Sequence, residues 1–232
     1  MGTDFKSEKE VQDYLKNLYI EYKFGCYHDK NAETCHLLGD YEESIKKDDA
    51  KAGEVYKMNC DTYNYGKSCV RYGSYSFLGK GCKEDRLTGY KYFKKACETD
   101  NPEGCTNAGI MAVSNEDFDE KDRSTQVNNG VAMLKKAAEV FNNEKACFYL
   151  SGIYIRGIEG HLEKNLKEAY KYSTKACELG NPYACANVAQ MYTRGEGVDK
   201  NADEAASYKQ RALELHKEIK HGKRSVEFQQ GL

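Results

Sequence analysis

Thiols are the side chains of this 232-residue chain whose number and spacing point to chemistry. Eight of ten cysteines fall into four recurring pairs: Cys26 with Cys35, Cys60 with Cys69, Cys97 with Cys105, and Cys177 with Cys185. Each pair brackets a short segment in a region that otherwise reads as helix. On one unbroken helix such cysteines would stand roughly 12–13 Å apart at about 1.5 Å per residue, whereas a disulfide needs Cα atoms within about 7 Å. If the pairs are oxidised, the chain turns back between them, and each pair staples the end of one helix to the start of the next. Catalytic dithiols usually lie two residues apart at a helix start, where the helix dipole lowers the attacking thiol's pKa. No Cys-x-x-Cys string occurs, so structural bonds are favoured over redox catalysis.

Two cysteines stand outside this pattern. Ala138 takes the place of a cysteine in Lys135-Lys136-Ala137-Ala138 and leaves Cys147 without its expected partner, while Cys82 sits alone in a glycine turn. A bond between Cys82 and Cys147 would cross more than a full repeat, so both are candidate free thiols, Cys147 buried and inert, Cys82 exposed. Of the five histidines, His28, His36, His161, His216 and His221, the first two are expected to approach each other across the first hairpin. No paired metal-ligand spacing and no Cys-x-x-Cys-His string is present, so no metal site is expected and the histidines read as surface or capping groups. There is no Gly-x-Ser-x-Gly and no phosphate loop. No catalytic residue is expected, and the chain reads as non-enzymatic.

The elements that position these thiols form an internal repeat. The second cysteine position recurs at 35, 69, 105, 147 and 185, with periods of 34, 36, 42 and 38. Each begins a helix with Gly or Ala four residues on, to admit a close neighbour, and an aromatic two or three residues later, as in Cys69-Val70-Arg71-Tyr72-Gly73-Ser74-Tyr75. A glycine turn follows, clearest in Leu78-Gly79-Lys80-Gly81 and Arg194-Gly195-Glu196-Gly197. A second helix then shows apolar positions at spacings of three and four. The expected architecture is all-α: a helix over 8–27, then an α-solenoid of five helix-turn-helix units at about 31–67, 68–102, 103–143, 144–182 and 183–215. A basic tail covers 216–232, and residues 1–30 are the N-terminal element. The polar insertion at 112–128 is expected to be a mobile spacer loop.

The totals of 35 Lys plus Arg against 37 Asp plus Glu leave a formal charge of -2, which argues against bulk attraction to nucleic acid. The basic stretch 209–224 reads as a solvated helix face. No apolar run reaches the roughly 18 residues needed to span a bilayer, so no integral membrane protein is expected. The opening residues Met1-Gly2-Thr3-Asp4-Phe5-Lys6-Ser7 show no secretory, presequence or myristoylation pattern. Nineteen tyrosines are expected mainly in the core, a minority lining a groove for a partner.

Residues 185–198 read Cys-Ala-Asn-Val-Ala-Gln-Met-Tyr-Thr-Arg-Gly-Glu-Gly-Val and continue to Ala205, Tyr208, Arg211 and Ala212. This string, recurring over about 31–215, resembles the Sel1-like repeat, a relative of the tetratricopeptide unit. With Cys26-Tyr27-His28 before the first unit and Leu213-Glu214-Leu215-His216-Lys217-Glu218 after the last, the chain is similar to the cytochrome c oxidase assembly factor 7 family. That resemblance implies the mitochondrial intermembrane space, protein partners among complex IV subunits or other assembly factors, entry through the oxidative import machinery, and haem handling by residues the family pattern does not name. A disulfide scaffold conflicts with a cytosolic setting, and the implied compartment removes the conflict. Two alternatives remain at this level: haem binding or thiol–disulfide exchange in the same pathway, and a secreted cysteine-rich Sel1 protein.

Overall fold

The computed structural model describes residues 7–118 and 120–229, with the backbone alone over 221–229. The described residues form eleven α-helices, with one isolated antiparallel bridge between Ile158 and Leu162. The helices are α1 (Glu8–Tyr27), α2 (Ala32–Ser44), α3 (Asp49–Tyr63), α4 (Gly66–Leu78), α5 (Arg86–Glu98), α6 (Pro102–Val113), α7 (Arg123–Glu139), α8 (Glu144–Arg156), α9 (Leu166–Glu178), α10 (Pro182–Arg194) and α11 (Ala202–Gln229). The fold is an α-solenoid of Sel1-like helical hairpins. It divides within α6 into two compact units, 1–108 and 109–232, each described by itself.

Side-chain caps mark most helix starts. Asn31, Asp48, Asp85, Asp122, Asn143, Asn165 and Asn181 each accept a hydrogen bond from a backbone N–H three residues on. This satisfies a donor that helix geometry would otherwise leave open. Helix ends α4 and α10 are set by Gly79 and Gly195, at φ of 67° and 71°, the left-handed region that a Cβ disfavours.

In unit 1 the core groups Leu38 and Val55 with Cys26 and Cys35, and Tyr56 with Ala52 and Tyr75. In unit 2 Val127, Leu134, Leu150, Tyr172 and Val188 are fully buried. Close helix approach explains the small residue four positions past the cysteine. A Cβ added at Gly73 would meet the Phe93 ring at 2.9 Å, and one at Gly109 would meet the Gly130 carbonyl oxygen at 2.9 Å. The fourth repeat departs from the expected Gly or Ala: buried Ser151 stands there, its hydroxyl donating to the Phe148 carbonyl at 2.9 Å.

The expected mobile loop at 112–128 is not what the structure shows. Helix α6 runs to Val113 and α7 starts at Arg123, and the segment between them is pinned from within unit 2. Phe118 is buried, its N–H donates to Gln126 Oε1 at 2.9 Å, and Gln126 Nε2 donates to the Ala112 and Glu116 carbonyls at 3.0 and 2.8 Å. Arg123 adds bonds to the Ala112 and Val113 carbonyls at the end of α6. One apolar side chain in a polar run leaves no periodicity to read. Gln126→Ala is expected to cost about 2 kcal/mol by removing three buried or part-buried hydrogen bonds to backbone at once. Urea unfolding and faster protease cutting within 114–122 would register it.

Helix α11 continues as backbone to Gln229, so the segment expected as a tail is helical through that residue. Residues 230–232 lie outside the described part, as do the side chains of His221, Lys223 and Arg224.

Candidate functional site

Each cysteine pair joins the second helix of one hairpin to the first helix of the next, or α1 to α2. Cys26–Cys35, Cys60–Cys69, Cys97–Cys105 and Cys177–Cys185 lie at disulfide distance with Cα atoms 4.5, 4.8, 4.3 and 4.7 Å apart. The intervening turn, Asn-capped in the first and last pairs and in the Asn101 turn, brings together thiols that a continuous helix would hold apart. All eight sulfurs belong to buried residues, which shields the bonds from external reductant.

Cys147 is a buried free thiol and Cys82 an exposed one. Burial pushes the Cys147 thiol up to about 11. Its Sγ lies 3.9 Å from the Ala138 carbonyl oxygen, where an oxidised partner would stand. Cys82 Sγ lies 3.6 Å from the Tyr75 carbonyl oxygen.

The structure gives His28 and His36 separate partners rather than a common site. His28 stacks on Phe24 and faces Asp29 at 2.9 Å. His36 Nδ1 is 3.0 Å from Ser68 Oγ, which also receives the Asn59 side-chain amide at 2.7 Å, tying α2 to α3 and α4 beside the Cys60–Cys69 bond. Burial lowers the His36 pKa, opposed by Asp40 and reinforced by Arg71 and Lys67. The folded state therefore binds a proton less readily than the unfolded chain. Stability is expected to hold at and above neutral pH and to fall as pH drops below about 6.5, with a slope of at most about 1.4 kcal/mol per pH unit. His36→Gln should flatten that slope above the carboxylate range; an unchanged profile would refute the assignment.

His161 faces Ser124 at 2.9 Å, and exposed His216 borders an apolar groove. Three of the four described imidazoles, those of His28, His36 and His161, are engaged by separate local partners, and the lining of the groove beside His216 includes no second imidazole or sulfur. No cluster of three or more His, Cys, Asp and Glu suited to a metal ion occurs among the described residues. Among the same residues, no helix is long and apolar enough to cross a membrane.

Sequence reasoning missed a set of tyrosine–carboxylate clamps. Tyr92 donates to Asp61 at 3.0 Å, and Tyr172 to Glu139 at 2.6 Å. Each acid directly follows the cysteine position of one repeat (60 and 138), and each tyrosine precedes the next repeat's (97 and 177) by five. Lys57 and Lys95 join Asp61, and Lys171 joins Glu139. Burial and the Glu139 bond push the Tyr172 phenol far above its ordinary value, while the Tyr172 and Lys171 bonds hold Glu139 below its own. In unit 1 a second arrangement places Glu43 between Arg71 and Lys80, with Tyr56 donating to Asp40 at 2.5 Å. These groups bind repeats together, with the Arg71 Nε left without a hydrogen-bond partner.

Between α10 and α11 lies an apolar cavity of about 530 Å³ lined by Tyr183, Ala186, Gln190, Lys209, Leu213 and His216 among others. Each unit offers helical surface held together by its own cysteine pairing.

A family model described as Sel1 repeat matches residues 66–101, 144–181 and 182–216. A cytochrome c oxidase assembly factor 7 homolog from Drosophila melanogaster is 41% identical, over 100% of this chain and 98% of its own. Cytochrome c oxidase assembly factor 7 from Homo sapiens is 35% identical over 97% of each chain. Among solved structures, a Sel1 repeat protein from Oxalobacter formigenes superposes with a TM-score of 0.72 at 18% identity, covering 87% of this chain and 84% of that one. This last likeness concerns the fold alone.

Proposed function

The chain belongs to the cytochrome c oxidase assembly factor 7 family, and from that premise we propose that it is a non-enzymatic factor in the assembly of complex IV, acting through protein contacts in the mitochondrial intermembrane space. The observation that carries the reading is the whole-length similarity to relatives named for that assembly, on a scaffold whose hairpins are joined by four cysteine pairs. Disulfides persist in oxidising compartments. A reduced chain able to cross a membrane would be held inside once the four bonds close. The partners in this reading are complex IV subunits or other assembly factors, reached across solenoid surfaces that stacked repeats supply.

Three measurements test it. In isolated mitochondria the protein should resist added protease and become digestible when the outer membrane is ruptured; digestion before rupture, or resistance after it, would contradict the compartment. In cells lacking the protein, assembled complex IV on native gels should fall and recover with the wild-type chain. If complex IV is unaffected by the loss, the assembly role is wrong. Rapid turnover of a dithiol substrate, abolished by Cys82→Ser, would overturn the non-enzymatic part.

A further inference from the structure

Among the described residues, repeat stacking leaves a seat open on α11. In unit 2 the matching positions of α9, which α10 follows and joins through Cys177 and Cys185, are closed: Ala169, Ser173 and Ala176 are fully buried and Cys177 is 3% exposed. One repeat later, Ala205, Lys209, Ala212 and Leu213 hold the same positions in α11. Leu213 stands where Cys60, Cys97 and Cys177 staple the following helix, yet it is 50% exposed and lines the 530 Å³ groove between α10 and α11. A terminal repeat is normally closed by a polar outer face, and this one is apolar. Helix α11 also runs on past the point equivalent to the end of α9, and Ile219, 45% exposed, continues the seven-residue spacing of Ala205 and Ala212. The seat from Ala205 to Ile219 is therefore about 21 Å long at 1.5 Å per residue.

Its shape is that of a helix, because a helix fills the equivalent seat on α9. Its charge narrows the guest. No carboxylate lines the groove, whereas Lys209 and His216 do. A second copy of the chain could offer α1, whose exposed Ile20, Phe24 and Tyr27 form an apolar stripe, but helical spacing puts Lys16 and Lys23 on that same side, against Lys209. We propose that the α10–α11 groove is the docking seat for an amphipathic helix of a partner protein, apolar on the facing side and flanked by carboxylates, in the place a sixth repeat would take. The proposal rests on the reading that the chain works through protein contacts, and it continues an interface the fold already uses.

The test uses the oxidised full chain and a fluorescent helical peptide of about 20 residues, with Ala and Leu along one side and Glu beside them, against a sister peptide with Lys in place of Glu. The Glu peptide should bind, the Lys peptide should not, Leu213→Glu should weaken binding at least tenfold, and Lys209→Glu should shift preference toward the Lys peptide. Because Leu213 is half exposed, unchanged helical circular dichroism and an unchanged count of two free thiols would show that its variant folds. Indifference to the sign of the peptide, no binding up to about 1 mM, or a dimer in sedimentation that Leu213→Glu dissolves would each overturn the proposal. If Leu213→Glu restores complex IV in null cells as well as wild type and the peptide does not bind, the docking seat fails while the assembly role stands. If the wild-type chain itself restores nothing, the assembly role fails whatever the peptide does.

Discussion

Reducing all four disulfides is expected to remove about 10 kcal/mol of unfolding free energy while leaving helical content in water largely unchanged. The chain-entropy model assigns roughly 2.5 kcal/mol to each closed loop of nine or ten residues, and four such loops rival the whole stability of an ordinary domain, about 5–15 kcal/mol. The effect acts mainly on the unfolded chain. Every stapling cysteine is buried, and a reduced thiol still fills its place as a small apolar group. The N-caps, the clamps of Asp61 with Tyr92 and Glu139 with Tyr172, and the packing around Leu134 and Tyr172 do not depend on the S–S bonds. Urea titration with and without a membrane-permeant phosphine would read the difference as a large drop in midpoint with little change in far-ultraviolet ellipticity before the transition. A loss below about 2 kcal/mol in total would show that the bonds are incidental to stability. With so much stabilisation expected from these bonds, a reduced chain would fold only marginally and its oxidation would lock the folded state, as the proposed retention in the intermembrane space would need.

What was legible in the sequence is what the chain encodes locally. The cysteine pairs and the glycines at helix ends each act within about nine residues, so spacing alone places them, whereas the Asn and Asp caps emerge only with the helix starts. The repeat carried the rest of the architecture, since one hairpin read correctly fixes its neighbours. Features that depend on a single residue or on another repeat were hidden. Phe118 and Gln126 anchor the 114–122 segment by burial and three hydrogen bonds, which a polar composition conceals. The tyrosine–carboxylate clamps have a fixed offset from the cysteine positions, but the offset becomes visible only when two repeats are laid side by side in space. Histidines 28 and 36 looked close because their hairpin is short, and their ring partners are instead Phe24 on one side and Tyr56 and Tyr65 on the other. The open groove on α11 is legible only from the exposure of Leu213, since its lining residues read in the sequence as an ordinary second helix.

Ala138→Cys is expected to install a fifth staple and to raise stability of the oxidised protein by about 2.5 kcal/mol. The inference rests on a comparison of like positions. In the oxidised pairs, Cys35 Sγ lies 3.5 Å from the Cys26 carbonyl oxygen and Cys105 Sγ lies 3.7 Å from that of Cys97. Cys147 Sγ lies 3.9 Å from the Ala138 carbonyl oxygen, so the fourth repeat holds its thiol where the others hold theirs, facing a methyl instead of a sulfur. The free-thiol count should fall from the two of the wild type, Cys82 and Cys147, to Cys82 alone, and a peptide map should show the new 138–147 link. A thiol count of three in fully oxidised protein would contradict the geometric equivalence. The reduced variant should be less stable than reduced wild type by about 1 kcal/mol, because Ala138 is fully buried and an extra sulfur overpacks its site. Closure should also be slow in the folded protein. With the Cys147 thiol pushed up to about 11, roughly one molecule in ten thousand carries the thiolate at pH 7, so the bond should form readily when the chain is oxidised during refolding and sluggishly when oxidant is added afterwards.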